Sequence, residues 1–363
     1  MVRNCLLTLA VVAFTATSVF ADSGLKKGTI DLKSVGPLAF GPDGVLFISD
    51  PMSATIHAVA TGKSKGKASG KLEVEGVRAK LAGLLGAERK DVRIIDVAVK
   101  PGTSSAYLAV VRGSGPEANA VIAHVQADGT IEEFSLEGVP TASAKLPNPA
   151  DPRPIRGGNA RMQSITDMHY VNGRLFIAGL SNENFASNLR AIPYPFSKSN
   201  RGTGVKIYHG AHGAFETRSP VRTFTAYDIG GKTHLLAAYT CTPLVKFPVD
   251  KLQPGQEIVG TTIAELGNRN RPLDMFTYSK GGKDFILMAN SSRGVMKIPT
   301  AGIGDVEKGI EAKVPSGETK GIGYDTIASL KGVLQLDRLN DKSALALVEV
   351  EDGTENLTTV ALP

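Results

Sequence analysis

Short alternating and fully apolar runs, separated by glycine-rich turns, recur along the chain, and no long stretch keeps a helical period. The clearest case is Thr223 to Pro248 (TFTAYDIGGKTHLLAAYTCTPLVKFP), which overlays Asp274 to Pro299 (DMFTYSKGGKDFILMANSSRGVMKIP) at a constant offset of 51 residues. Each copy reads as a strand, a Gly-Gly turn, an apolar strand, a polar turn and a third alternating strand. A looser fourth strand follows. Weaker copies run over Gly36 to Val59, Asp96 to Val125, Asp167 to Ile192 and Asp325 to Val350. Repeats of this length built from four short strands predict an all-β fold, a six-bladed β-propeller of four-stranded antiparallel blades, with seven blades as the alternative.

The six units start near residues 36, 96, 167, 223, 274 and 325, so the spacings are 60, 71, 56, 51 and 51. The surplus lies before the second and third units. Val77 to Ala87 (VRAKLAGLLGA) has the spacing of a short helix, and Pro147 to Arg161, rich in Pro, Gly and Arg, reads as a long surface loop. A strand near Thr29 to Lys33 is expected to close the ring against the last blade, whose outer strand falls at Leu357 to Leu362.

Composition agrees with many turns and few bulky anchors, since the 363 residues include 40 Gly and 20 Pro but no Trp. Residues 1 to 21 place Arg3 before an apolar stretch of about a dozen residues and end in Val19, Phe20 and Ala21, the pattern of a signal peptide cleaved after Ala21. The chain is therefore expected to be secreted or periplasmic, with residues 22 to 363 forming one domain. The alternative of a short membrane anchor needs a longer apolar run. Cys5 falls inside the signal, which leaves Cys241 as the one thiol of the exported chain. No internal disulfide and no CxxCH haem motif can then form.

Forty-one Lys and Arg against 35 Asp and Glu give +6, too dispersed to indicate nucleic-acid binding. Lys63, Lys65, Lys67 and Lys71 form a basic loop, read as solvated or as a phosphate contact. Neither GxGxxG nor GxxxxGK[ST] follows a strand, so a nucleotide lacks its fingerprint. GxSxG is absent as well. No segment beyond the signal reaches the length of a membrane span.

Candidate chemistry follows from the repeat. Aligning the units puts Gly36, Asp96, Asp167, Thr223, Asp274 and Asp325 at the start of the innermost strands, where side chains converge on the channel. Asp96, Asp167, Asp274 and Asp325 thus form a candidate ring. Two readings stand side by side: oxygen ligands for Ca²⁺ or Mg²⁺, or caps on backbone amides at the blade junctions. Asp50, Asn182, Asn290 and Asp337, with Arg269 and Arg271 of the incoming loops, are the candidate ligand-binding groups on the same face.

His169, two residues beyond Asp167 and on the same side of its strand, is the candidate general base. His209 and His212 (HGAH) could chelate a metal or simply hydrogen-bond within a blade connection. Cys241 reads as an inert turn residue or an accessible thiol.

PLAFGPDGVLFISDPMSATIHAV (37 to 59) resembles a blade of the NHL-repeat and gluconolactonase-like (senescence-marker) propellers, and YHGAHGAFETRSP, AAYTCTPLVKFPV and MANSSRGVMKIP resemble exported bacterial propellers of no assigned activity. The first likeness implies a catalytic divalent ion held by a first-blade Glu with Asn and Asp, and an Asp base. At the first-blade position this chain has Val35, Gly36 and Pro37. What could map are Asp96, Asp167, Asp274 or Asp325 as ligand or base and Asn182 or Asn290 as neutral ligand. Without Trp, the tryptophan docking of quinone-dependent alcohol dehydrogenases is missing.

The expected function is an exported propeller that binds a small polar or anionic ligand, or an envelope protein, at the Asp-lined face. The alternative is a metal-dependent hydrolase of lactones or esters.

Overall fold

The computed structural model describes residues 24–62, 70–115, 118–155, 158–241 and 243–363. The signal segment with its Ala21–Asp22 cleavage point, Lys63, Lys65 and Lys67, and residues 156 and 157 of the loop Pro147 to Arg161, lie outside the described residues. Six antiparallel sheets surround a central channel, which bears out the six-bladed propeller. Four blades start from an inner strand at Val92–Val99, Asp167–Val171, Val221–Ile229 and Pro272–Lys280. The first blade starts from Leu38–Phe40 and the sixth from Val333–Arg338.

The second strand of each blade is almost wholly apolar because both of its faces are covered. In the second blade Ala106, Leu108 and Val110 pack toward one neighbour, and Tyr107 and Ala109 toward the other. That split follows the two-residue period of a strand. Six buried clusters result, each wedged between a pair of adjacent blades.

Those clusters also give the order of the ring, which differs from the order of the chain. The first blade shares a core with the third through Phe47, Ile56, Met168 and Ile177, and another with the second through Leu46, Ile48, Tyr107 and Ile122. The second blade packs on the sixth through Leu108, Val110, Leu345 and Leu347. The second blade therefore sits between the sixth and the first.

The chain accomplishes this with two outer strands borrowed across the sequence. Val74 bridges Leu357 on the outside of the sixth blade just before the helix Val77–Leu84. After the second blade, Val139–Lys145 returns to pair with Thr55–Ala60 of the first. Lys26–Gly28 then adds to the far edge of Val139–Lys145.

This explains the surplus before the second and third units. The helix expected at Val77 to Ala87 forms over Val77–Leu84. The expected closing strand at Thr29 to Lys33 does not: the amino-terminal strand belongs to the first blade, and the last blade is completed by the segment at Val74. Among the described residues, no helix is long and apolar enough to cross a membrane.

Candidate functional site in the channel

A β-bulge opens the inner strand in four blades, between Ile94 and Asp96, Val221 and Thr223, Pro272 and Asp274, and Val333 and Gln335. The residue after each bulge is turned toward the channel, with Asp96, Thr223 and Asp274 paired to Ala109, Ala238 and Ala289 on the next strand. Asp167 occupies the corresponding place opposite Ala178. The 51-residue offset that relates Thr223 to Asp274 is thus a true register.

It does not extend to the sixth blade. Asp325 lies exposed in the outermost strand of the fifth blade, paired with Lys297, so it is not part of the ring. The reason is a long connection after Pro299 that first covers the fourth blade, burying Ile303 in its core and adding Lys320–Gly321 to its edge. The sixth position of the ring is Gln335. Asp337, two residues further along the same face, supplies the fourth carboxylate instead.

Each of these aspartates clamps two blades. Asp167 accepts the amide of Met168 at 2.7 Å and that of Phe224 in the next blade at 2.8 Å. Asp274 accepts Met275 at 2.8 Å and Leu336 at 3.0 Å. Asp337 accepts Val99 at 2.7 Å, and Asp96 accepts Leu38 at 2.6 Å. The capping reading is therefore realised, but across blade junctions rather than within one turn. Each oxygen that takes one N–H keeps a second lone pair.

Burial outweighs these hydrogen bonds in setting the acidities. It pushes Asp167 up to about 7 and Asp337 up to about 6. Asp96 and Asp274 are raised well above the ordinary carboxylate range, first by burial and then by the charges of the other ring members.

Asp96, Asp167 and Asp274 line two cavities, one on each side of the ring. The larger, ≈ 620 Å³, is bordered by Arg93, Arg222, Arg271, Gln163, Asn159 and Gln335. The smaller, ≈ 400 Å³, holds His169, Tyr170, Asp337 and Arg338.

Local sequence builds the larger mouth. The hairpin Pro154–Ile155 with Gly158–Asn159 leads into a short 3-10 turn, Ala160–Ser164, whose start is capped by Asn159 accepting the Arg161 amide at 2.9 Å. Only glycine fits beneath that turn, since a Cβ on Gly179 would lie 2.1 Å from the Ser164 carbonyl oxygen. Gly36 is similarly required, because a Cβ there would meet Ser49 Oγ at 2.8 Å. The place that carries Glu in gluconolactonase-like propellers has no room for a side chain here.

Among the described residues, no carboxylate pairs with Arg93, Arg222 or Arg271. Arg222 donates Nε to Thr240 Oγ1 at 3.1 Å, and burial together with the like charge of Arg271 lowers its pKa to about 10.

Of the other candidates, Arg271 lines the larger cavity and His169 the smaller, where burial lowers the imidazole pKa and Phe224 meets it edge-on at 6.2 Å. Asp50 is buried as a turn cap for Lys33, Ser34 and Ser53. Asn290 is buried against Asn270 and the amides of Ser292 and Arg293. Asn182 and Arg269 are exposed and border neither cavity. Arg93, Arg222, Gln163 and Gln335 were not among the sequence candidates. Arg222 lies inside its bulge, one residue before the aligned Thr223, and Arg271 stands just before the bulge that precedes Asp274, so the repeat marks their neighbourhood without aligning them with each other.

No protein-family model matches the chain, and no curated protein matches it in sequence. Solved structures overlap it loosely. The PQQ-bound aldose sugar dehydrogenase of Streptomyces coelicolor is 12% identical with a TM-score of 0.37, covering 93% of this chain and 96% of that one. A putative oxidoreductase (glucose dehydrogenase) of Thermus thermophilus is 10% identical with a TM-score of 0.35, over 93% of this chain and 100% of that one. The WD40 β-propeller domain of Doa1 is 8% identical with a TM-score of 0.33, over 94% and 98%. Overlaps this loose assign no substrate or cofactor to the chain.

Proposed function

We propose that the protein is an exported binding propeller whose larger channel mouth takes a small anionic, hydroxyl-bearing molecule. The observation that carries this reading is the set of three guanidinium groups with no carboxylate partner, standing over a ring of carboxylates. Guanidinium groups bind carboxylates and phosphates through paired, charge-assisted hydrogen bonds. Gln163, Gln335 and Asn159 add neutral donors and acceptors suited to hydroxyl groups.

Beneath them, Asp96, Asp167 and Asp274 offer oxygen ligands of the kind that Ca²⁺ or Mg²⁺ prefers. A divalent ion there offsets the mutual repulsion of the ring and bridges it to the anion. Each Asp keeps its amide bonds while doing so, because the second lone pair of each oxygen is available.

The reading is tested by thermal shift with sugar acids and sugar phosphates, with and without Ca²⁺. A stabilising anion whose effect vanishes in Arg222→Gln/Arg271→Gln supports it. The absence of any shift from the whole panel in the wild type counts against it.

A second reading, hydrolysis of a lactone or ester, draws on the smaller cavity. There His169, held neutral by burial, lies in the same cavity as Asp337 and the ring. A neutral imidazole can accept the proton of an attacking water. Turnover of aryl esters or aldonolactones that is lost in His169→Gln would favour it.

A further inference from the structure

Away from the channel, the outer edge of the third blade carries a separate cluster. The strand Thr203–His209 turns through Gly210–Gly213 into Ala214–Glu216, and the register pairs Ile207 with Glu216 and His209 with Ala214. His209 and Glu216 therefore share one face of the hairpin. The turn itself folds His212 back over them, with the His212 and Gly213 amides both donating to the His209 carbonyl. Two glycines make this geometry accessible. Gly213 has φ +69, and a Cβ on Gly210 would lie 2.9 Å from both Glu265 and Val314.

The result brings two imidazoles and a carboxylate together. His209 Nδ1 lies 3.0 Å from Glu216 Oε2, His212 Nδ1 lies 2.5 Å from Glu216 Oε1, and the two rings are 3.9 Å apart. Among the described residues this is the one group in which three His, Cys, Asp or Glu side chains offer ligand atoms within 4.8 Å of one another. A second carboxylate, Glu265, is buried beside it, accepting the Gly210 amide at 2.5 Å.

The state of His209 is an independent observation. Its side chain is only 2% exposed. With Nδ1 as the donor to Glu216, Nε2 carries a bare lone pair, and that atom is buried without a hydrogen-bond partner. A buried acceptor left without a donor is costly. The atoms that face one another are the two Nδ1 atoms and the Glu216 oxygens, which a cation can bridge once the Nδ1 protons leave.

We propose that His209, His212 and Glu216 form a site for a transition-metal dication of the Zn²⁺ class, with Glu265 as the neighbouring carboxylate. Two imidazoles and a carboxylate suit Zn²⁺ or Co²⁺ better than Ca²⁺ or Mg²⁺, which take oxygen alone. Ligand atoms this close need only small shifts to reach about 2.0–2.2 Å from one ion. His212, 54% exposed, leaves a route for the ion from solvent. The ion would fasten the hairpin of the third blade against Glu265 in the outer strand of the fourth.

The test is titration of the metal-stripped full-length protein with Zn²⁺ by calorimetry and with Co²⁺ by visible absorption. One equivalent should bind, the Co²⁺ form should show the visible bands of a four- or five-coordinate nitrogen–oxygen site, and His212→Ala should weaken Zn²⁺ roughly tenfold or more. His212 is exposed, so this variant keeps its fold, which circular dichroism checks. Glu216→Gln should weaken binding likewise, whereas Asp274→Asn in the channel should not. Failure of the wild type to bind Zn²⁺, or binding that persists unchanged in both His212→Ala and Glu216→Gln, would overturn the proposal.

Discussion

The two mouths of the channel share Asp96, Asp167 and Asp274 but present them with different company. On the larger side stand Arg93, Arg222 and Arg271 without carboxylate partners. On the smaller side the one guanidinium, Arg338, is already paired with Asp341, and the remaining polar groups include a neutral His169 and a further carboxylate, Asp337. The carboxylates themselves are committed to backbone amides of neighbouring blades, so they hold the ring together on both sides equally. What differs is the sign of the charge left over. An anion has a reason to dwell at one mouth and none at the other.

The largest effect expected is on binding at the larger mouth. Arg222→Ala combined with Arg271→Ala should weaken a bound anion by at least about 100-fold, since each charge-assisted hydrogen bond contributes roughly 1.5–3 kcal/mol. Calorimetric titration measures this, and Arg338→Ala at the opposite mouth should leave the affinity unchanged.

Next in size is the structural role of the ring. Asp167→Ala orphans the amides of Met168 and Phe224 and should cost about 1–3 kcal/mol in urea unfolding. The same loss is expected for Asp337→Ala, which frees the amides of Val99 and Arg338, because clamping serves both mouths alike.

A smaller effect concerns pH. Burial raises Asp167 from its ordinary 3.8 to about 7, so the folded state holds that proton more tightly than the unfolded chain does. Stability contributed by this group is full below about pH 4 and is lost as pH rises through 7. Relative to Asp167→Asn, the wild type should gain roughly 1 kcal/mol between pH 8 and pH 5, after allowing for water in the channel. An unchanged difference in melting across that range would show that the carboxylate is not desolvated. The smallest effect is assigned to His169→Gln, which should leave anion affinity within about twofold, as a residue of the other mouth making no hydrogen bond the ring depends on.

Legibility from the sequence was uneven for physical reasons. The fourth and fifth blades are near copies, with connections short enough to keep Thr223 and Asp274 in one register, so their place at the channel could be read directly. The first and second blades could be recognised as blades but not placed. The outer strands of the first and sixth blades come from Val139–Lys145 and Val74, segments whose pairing partners lie far off in sequence, and pairing of that kind leaves no local periodicity. The same limit misplaced Asp325. A strand of two residues at the edge of a blade and the true inner strand at Val333–Arg338 differ in tertiary pairing rather than in pattern.

Within the site, the acidic ring was visible because repetition exposed it, whereas the guanidinium groups were less so. Arg93 and Arg222 are set one or two residues before or within the bulges, and a bulge shifts facing in a way that simple alternation does not foresee. Gln163 depends on a turn lodged over Gly179, a contact between separate elements.

The claim that one mouth alone is built for an anion is tested most directly by locating the anion. Crystals soaked at low concentration with a selenium- or bromine-bearing analogue of the best-binding sugar acid would give its position from anomalous scattering. The expected peak lies between Arg222 and Arg271 on the Gln335 side of the carboxylate ring. A peak instead beside His169 and Asp337, with nothing at the arginines, would contradict it.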